Sequence, residues 1–323
     1  MKLVKKLAGA IALAAVFGLA GCNLGTSGFG TITIPGEWPP SPPLNYRPGD
    51  VIIIGEGDLD MGEVRLGGGT FLMGSPPDEI GRSSVFGALE DQRLVTIDAD
   101  FWISETPVTV AQWYAVMGSI PADMRPPFPG DAPGRRPVTN VSWFDALVFA
   151  NRLSEREGRT PAYMINGSTD PAHWGAVPIW GGNIANFDAW NAVQIVPGST
   201  GYRLPTSAQW EFAARAGTTT AFSNGEQDWT NEESIGSIGW FRFNSGLTPR
   251  EVGLKEPNPW GLYDMHGNVA EMVWDEQIWN SLSHRVNRTG DYLNGANFGR
   301  SAAVELNSPH YRAPQHGFRL VRP

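Results

Sequence analysis

Glycine and proline punctuate this chain from end to end: it holds 39 glycines and 26 prolines among 323 residues, about a fifth of the total. Neither residue is at home inside a long helix or a central strand. They follow no Gly-X-Y period, so collagen is excluded, and a globule with long loops is favoured over a helical bundle. Hydrophobic residues make up 41% and charged residues only 18%, so the chain has the apolar surface needed to fold. Cysteine occurs once, at Cys22. That excludes an intrachain disulfide, a thiolate zinc site and a Cys-x-x-Cys redox pair.

Residues 1–21 read as an export signal. Lys2, Lys5 and Lys6 precede an apolar run from Leu7 to Leu19, too short and too one-sided for a spanning helix. The segment ends Leu19-Ala20-Gly21-Cys22, which resembles a bacterial lipobox and makes Cys22 the expected lipidation site. The alternative is an ordinary export signal with an incidental cysteine. Acyl chains contribute roughly 0.8 kcal/mol per buried CH₂, so several of them give a stable tether. The signal carries three of the 24 basic residues and none of the 33 acidic ones, which leaves the remainder at a net charge of −12. Nucleic acid is therefore not an expected partner, and the membrane is expected to be reached through lipid alone. Residues 22–50, rich in Gly, Ser, Thr and Pro and including Pro39-Pro40-Ser41-Pro42-Pro43, read as a lipidated linker. Residues 51–323 read as one folded domain without repeats.

Three helix starts carry a capping-box pattern: Thr109 with Gln112, Ser142 with Asp145, and Thr206 with Gln209. In each, apolar residues follow at helical spacing. Gly158 and Gly217 are the expected stops. Short strands are expected at residues 70–73, 94–97 and 317–321. The class is α+β, with much of the chain in loops.

The residues then carry a resemblance. Phe71-Leu72-Met73-Gly74, Phe101-Trp102-Ile103 with Glu105-Thr106-Pro107-Val108-Thr109, and Pro137-Val138-Thr139-Asn140-Val141-Ser142-Trp143 lead the series. Gly201-Tyr202-Arg203-Leu204-Pro205-Thr206 with Trp210 to Arg215, Gly261 to Val269 with Glu271, and Gly317-Phe318-Arg319-Leu320 complete it. Together these ordered blocks resemble the formylglycine-generating-enzyme (sulfatase-modifying factor) family. The resemblance implies that family's C-type-lectin-like fold, with a small twisted sheet, flanking helices and long loops. It also implies oxygen ligands for a structural calcium at Asn268 and Glu271. Here Ala270 and Met272 replace the segment's usual tryptophans, and the plainer reading is that Asn268 and Glu271 hydrogen-bond loop backbone.

Activity does not follow from fold. The family's enzymes use two cysteines near the C-terminus to hold copper, and thiolate is the ligand that metal requires. Asn294 stands roughly where the first would be, and an amide is neither thiolate nor redox group. A related branch places iron in a helical bundle with a His-x3-His-x-Glu element. His173, His266, His284, His310 and His316 give no such spacing. No Gly-x-Ser-x-Gly elbow, P-loop or His-Glu-x-x-His pair occurs either, so no catalytic residue is assigned. Asp145 and Glu211, in the first turns of helices, are explained by capping and the helix dipole.

In the last forty residues the family's framework persists as Arg285-Val286-Asn287-Arg288, Gly290, Arg300-Ser301-Ala302, Pro309, Arg312 and Gly317 to Leu320. The positions between hold Asp291, Tyr292, Asn294, Ala296, Asn297, Phe298, Leu306, Asn307, His310, Tyr311, Ala313 and His316. A constant frame with unusual fillers is similar to the variable proteins of diversity-generating retroelements, lipid-anchored treponemal members among them. All twelve fillers can be written with NNC codons, the outcome of adenine-directed copying errors, though fifteen amino acids share that property. The aromatic, amide and acidic mixture is the one recognition surfaces use. Region 285–323 is thus expected to be a variable-type segment on which these twelve residues bind ligand. Arg288, Gly290, Arg300, Ser301, Gly317, Phe318 and Arg319 are expected to hold the loops.

The expected function is that of a catalytically inactive, receptor-like lipoprotein that binds an unknown protein or glycan on another cell or host surface. It would be displayed from the bacterial envelope, on the outer membrane facing the exterior. The alternatives are an oxidative or a glycan-binding activity in the same cleft, or ordinary loops on an inactive relative.

Overall fold

The computed structural model describes residues 60–125, 127–179, 186–288 and 290–323. The export signal, Cys22, the linker and the start of the domain at 51–59 lie outside the described residues. All three capping boxes form. Thr109 N–H donates to Gln112 Oε1 at 2.8 Å, Ser142 N–H to Asp145 Oδ2 at 2.8 Å, and Thr206 N–H to Gln209 Oε1 at 3.1 Å. These open α1 (Val110–Met117), α2 (Trp143–Arg156) and, after a five-residue α3 (Phe187–Asn191), α4 (Ser207–Arg215). α5 follows at Glu232–Ile238. Gly158 turns left-handed directly after α2, as expected. After α4 the left-handed position is taken first by Ala216, at φ 46°, and Gly217 comes second.

The strands are β1 (Glu63–Leu66), β2 (Gly69–Met73), β3 (Arg93–Ile97), β4 (Phe101–Ser104), β5 (Tyr163–Met164) and β6 (Gln194–Ile195). The rest are β7 (Ala270–Trp279), β8 (Leu282–Arg288), β9 (Val304–Asn307), β10 (His316–Gly317) and β11 (Val321–Arg322). They build a four-stranded sheet in the order β10-β7-β8-β9, a three-stranded sheet β1-β4-β11, and the two-stranded pairs β2-β3 and β5-β6. The expected strands at 70–73 and 94–97 are present, paired with each other. The expected run 317–321 is broken into β10 and β11, and its ends join different sheets. The intervening Phe318 and Leu320 carbonyls accept from Val108 and Ser104 instead.

The largest core cluster packs α2 through Trp143, Phe144, Phe149 and Leu153 against Trp113, Trp190, Met272 and Phe318. A second cluster places Trp210 of α4 under the sheets with Phe101, Ile103, Val273, Val286 and Val321. A third, smaller one gathers Phe222, Ile235, Ile238, Phe241 and Ala296 beneath the C-terminal loops. Among the described residues, no helix is long and apolar enough to cross a membrane.

Candidate functional site

Three buried arginines anchor the C-terminal segment. Arg319 is fully enclosed and clamps Glu271 with two hydrogen bonds, Nε to Oε2 at 2.6 Å and Nη2 to Oε1 at 2.8 Å. Its remaining N–H groups reach the carbonyls of Ser104, Glu105 and Tyr263. Arg288 pairs with Glu211, which also accepts from Arg215 Nε at 2.9 Å and from the Gly74 N–H at 2.7 Å. Arg300 bonds Glu90 at 2.9 and 3.2 Å, pairs with Glu79, and donates through Nε to the Asn297 carbonyl at 2.9 Å. Removing one partner from a buried pair of this kind leaves an uncompensated charge and costs about 3–5 kcal/mol. Glu211 is the fifth residue of α4, beyond its first turn, which corrects the helix-dipole reading: it joins α4 to the turn after β2 and to β8. Asp145 likewise keeps its cap and also takes two bonds from Arg312, at 2.7 and 2.8 Å.

The loop after β8 is compressed against its own return. A Cβ at Gly290 would lie 2.9 Å from the Phe298 carbonyl carbon, so only glycine admits that approach. The turn Ala296–Gly299 is held from below by His266, whose Nδ1 lies 2.9 Å from the Gly299 carbonyl. The Tyr292 N–H donates to the Asn268 carbonyl at 3.0 Å, and Ser245 Oγ donates to the Tyr292 carbonyl at 2.7 Å.

Between this loop and residues 81–86 runs a groove of about 490 Å³. One wall carries Asp291, Asn294, Asn297 and Phe298, and the other carries Arg82, Val85 and Phe86. Arg300 and Glu90 lie at its base and tie the two walls together, and β9 contributes Val304 and Glu305. Burial raises the pKa of Asp291, partly opposed by hydrogen bonds from the Leu293 N–H and the Asn294 amide. Burial also pushes Glu305 upward, but the neighbouring His316 imidazole pulls it below its ordinary value. The closest approach of that pair is 3.7 Å.

The structure separates the twelve candidate ligand residues into three sets. Phe298 and Tyr311 are exposed, at 51% and 39%. Asn294, Asn297, Leu306, Asn307 and His310 are part-exposed. Asp291, Tyr292, Ala296, Ala313 and His316 are enclosed, which corrects the expectation that all twelve stand at a rim. Tyr292 is enclosed because its hydroxyl reaches back to donate to the Pro314 carbonyl at 3.0 Å. Ala296 plugs the third core cluster. Ala313 offers its carbonyl to the Asn140 N–H, and His316 lies on β10, edge-on to Tyr311. Asp291 alone of the five lines the groove. Leu306 and Asn307 belong to a strand rather than a loop, and Leu306 packs on the second core cluster. His310 stacks edge-on against Phe187.

The calcium expectation meets occupied atoms. Both Glu271 oxygens are held by Arg319, and Oε2 also accepts from Trp210 Nε1 at 2.7 Å. Asn268 Oδ1 accepts from the Arg250 N–H, and Nδ2 donates to the Arg250 carbonyl and to Asp264. The Glu271 carboxylate is paired with a guanidinium and the Asn268 oxygen with a backbone N–H, so these donor atoms as placed do not fit a calcium ion. What the sequence did not reveal is the second wall. Nothing in the spacing of residues 81–86 marks them as neighbours of residue 298.

Comparison with known proteins places this architecture. Residues 58–323 match the sulfatase-modifying factor enzyme 1-like domain. The chain belongs to that family. Variable protein 1 of Treponema denticola has 30% sequence identity and superposes with a TM-score of 0.68, covering 81% of this chain and 95% of that one. PvdO from Pseudomonas aeruginosa superposes at 0.57 with 25% identity, covering 80% and 93%. The chaperone protein LppX of Paenibacillus barcinonensis is 29% identical over 248 residues, 69% of this chain and 80% of the relative. The formylglycine-generating enzyme of Mycobacterium tuberculosis is 38% identical, but only over 89 residues, 28% of that enzyme's length. In this chain the pairs Arg319–Glu271, Arg288–Glu211 and Arg300–Glu90 frame residues 285–323, a segment without cysteine.

Proposed function

We propose that this family member is a non-catalytic binding protein, displayed on the bacterial envelope through lipid on Cys22 and facing the exterior from the outer membrane. Its C-terminal loops form the binding site, with a protein as ligand. The observation that carries the reading is the groove whose one wall is the 290–298 loop, held by Arg300 at the Asn297 carbonyl, followed by residues that Arg288 holds at the Ser301 carbonyl, and bearing Phe298 outward. Rigid support behind an exposed aromatic with adaptable amides beside it is how recognition loops keep ordering costs low. The likeness to a treponemal variable protein supports an exchangeable segment at 285–323, with Asn294, Asn297, Phe298, Asn307, His310 and Tyr311 as contacts. The one cysteine, Cys22, stands far from this segment in sequence, which supports the absence of thiolate copper chemistry.

The test uses full-length lipidated protein in detergent, applied to arrayed extracellular proteins and glycans beside a Phe298→Ala, Tyr311→Ala double variant. Binding to a protein on the array, weakened about tenfold or more in the variant at unchanged Tm, is the expected result. Binding that the variant retains, or glycans as the only ligands, would overturn it. So would conversion of a cysteine peptide to its aldehyde by the purified protein.

A further inference from the structure

The groove has a feature that side chains alone do not explain. β9 is the outer strand of the four-stranded sheet, paired among the described residues only with β8, in the register Arg285↔Asn307, Val286↔Leu306, Asn287↔Glu305 and Arg288↔Val304. In an antiparallel pair, alternate residues turn their N–H and C=O toward the partner and the others turn them away. Two of the four β9 residues therefore present both backbone groups outward, whichever set is inward. Among the described residues, no backbone hydrogen bond reaches Val304, Glu305, Leu306 or Asn307 from any element but β8.

The groove meets the first half of this outer edge, at Val304 and Glu305. Consecutive strand residues point to opposite faces, and Val304 packs toward the second core cluster, so Glu305 points to the other face. Only a channel beside the edge is lined by both, and this one is, with Ala303 continuing the line. The facing wall, residues 81–86, lies across the groove without bonding the edge. An open edge normally invites pairing, and folds blunt it with charge or cover. Here it lies inside the candidate site.

We propose that the ligand binds as an extended peptide segment that adds a fifth strand to β9. The inference rests on the reading that the groove is the binding site, and it specifies how that site works. Backbone groups of the ligand satisfy the outward N–H and C=O groups of β9, which supplies affinity without regard to side chain. Alternate side chains then face the two walls. Val85, Phe86 and Phe298 offer apolar contact. Glu305, its side chain 43% exposed, offers negative charge, whereas the arginines of the groove are already engaged, Arg300 with Glu79 and Glu90 and Arg82 with Asp91. The occupant is thus an exposed strand or extended tail of a protein, with an apolar residue and a basic residue in its alternating pattern. Such a mode lets residues 291–298 set specificity while β9 supplies the same backbone contacts to every ligand.

The experiment uses full-length protein in detergent and a positional-scanning library of nine-residue peptides, acetylated and amidated at their ends. The preferred sequence is resynthesised with a single N-methyl group at each backbone nitrogen in turn. Strand addition predicts a two-residue alternation: methylation at every second position weakens binding about tenfold or more, and at the intervening positions less than about twofold. It also predicts slowed amide exchange at residues 304–307 with peptide bound. Losses without alternation, unchanged exchange at β9, or no binding peptide in the library would each overturn it. If an arrayed protein still binds and depends on Phe298 while the peptide result fails, the groove remains the binding site and only the strand-addition mode falls.

Discussion

His266 is one of the residues on which the groove loop rests. It is completely buried, and its ring bridges Ser223 and the Gly299 carbonyl. Nδ1 faces a carbonyl and must carry the proton, which leaves Nε2 to accept from the Ser223 N–H at 3.1 Å. Burial lowers the imidazole pKa to about 4, with the Gly299 bond opposing and Arg215 assisting the shift. The native state withholds a proton that the unfolded chain takes up near pH 6.5, so the stabilisation is complete above pH 6.5 and is lost as pH falls toward 4. Asp264 acts in reverse. Burial raises it to about 6, so its contribution weakens as pH rises through that value. A His266→Gln variant isolates the first effect: the gap in Tm between parent and variant should shrink from pH 7 to pH 4. A gap that stays constant would show that the imidazole is not held neutral.

At the scale of elements, the long hairpin of β7 and β8 turns through Asn280 and Ser281, both left-handed at φ 50° and 64°. Two such residues make the turn whose twist suits a two-residue hairpin, and serine tolerates it less well than glycine. Ser281→Gly should therefore stabilise the protein by about 0.5 kcal/mol, read as a higher urea midpoint at the same slope; a lower midpoint would contradict the backbone geometry. The helices were legible because a capping box is a local signal. Thr109, Ser142 and Thr206 needed only the residue three positions on. This hairpin was not legible: residues 270–288 mix acidic, apolar and amide residues without clean alternation. A register shift between Met272 and Glu276 breaks the two-residue period. Leu306 and Asn307, in a strand of only four residues, read as loop because so short a run shows no period, and proved to be strand.

Across the whole molecule, the ends of the domain are joined through one strand. β4 pairs with β1 on one side and with β11 on the other, and Arg322 bonds Glu63 at 2.7 Å. Arg319 adds its clamp on Glu271. A chain ending at residue 316 loses β11, the Arg319 pair and the core residues Phe318 and Leu320 together. It should lack a cooperative thermal transition and native near-ultraviolet circular dichroism. A truncated protein with a sharp transition would show that the closure is dispensable.

The sequence by itself determined the helix starts, the family and the absence of a second cysteine, because each is written in neighbouring residues or in plain count. It also marked Arg288, Arg300 and Arg319 as frame rather than contact. Only the tertiary structure decided which C-terminal residues face outward. Tyr292 and Phe298 are six positions apart and chemically alike, yet one is sealed by Pro314 and Ser245 while the other stands open. Burial at such positions depends on what arrives from distant parts of the chain. Residues 81–86 reach the groove because Arg300 draws Glu79 and Glu90 to it across more than two hundred positions, a pairing that no local pattern encodes.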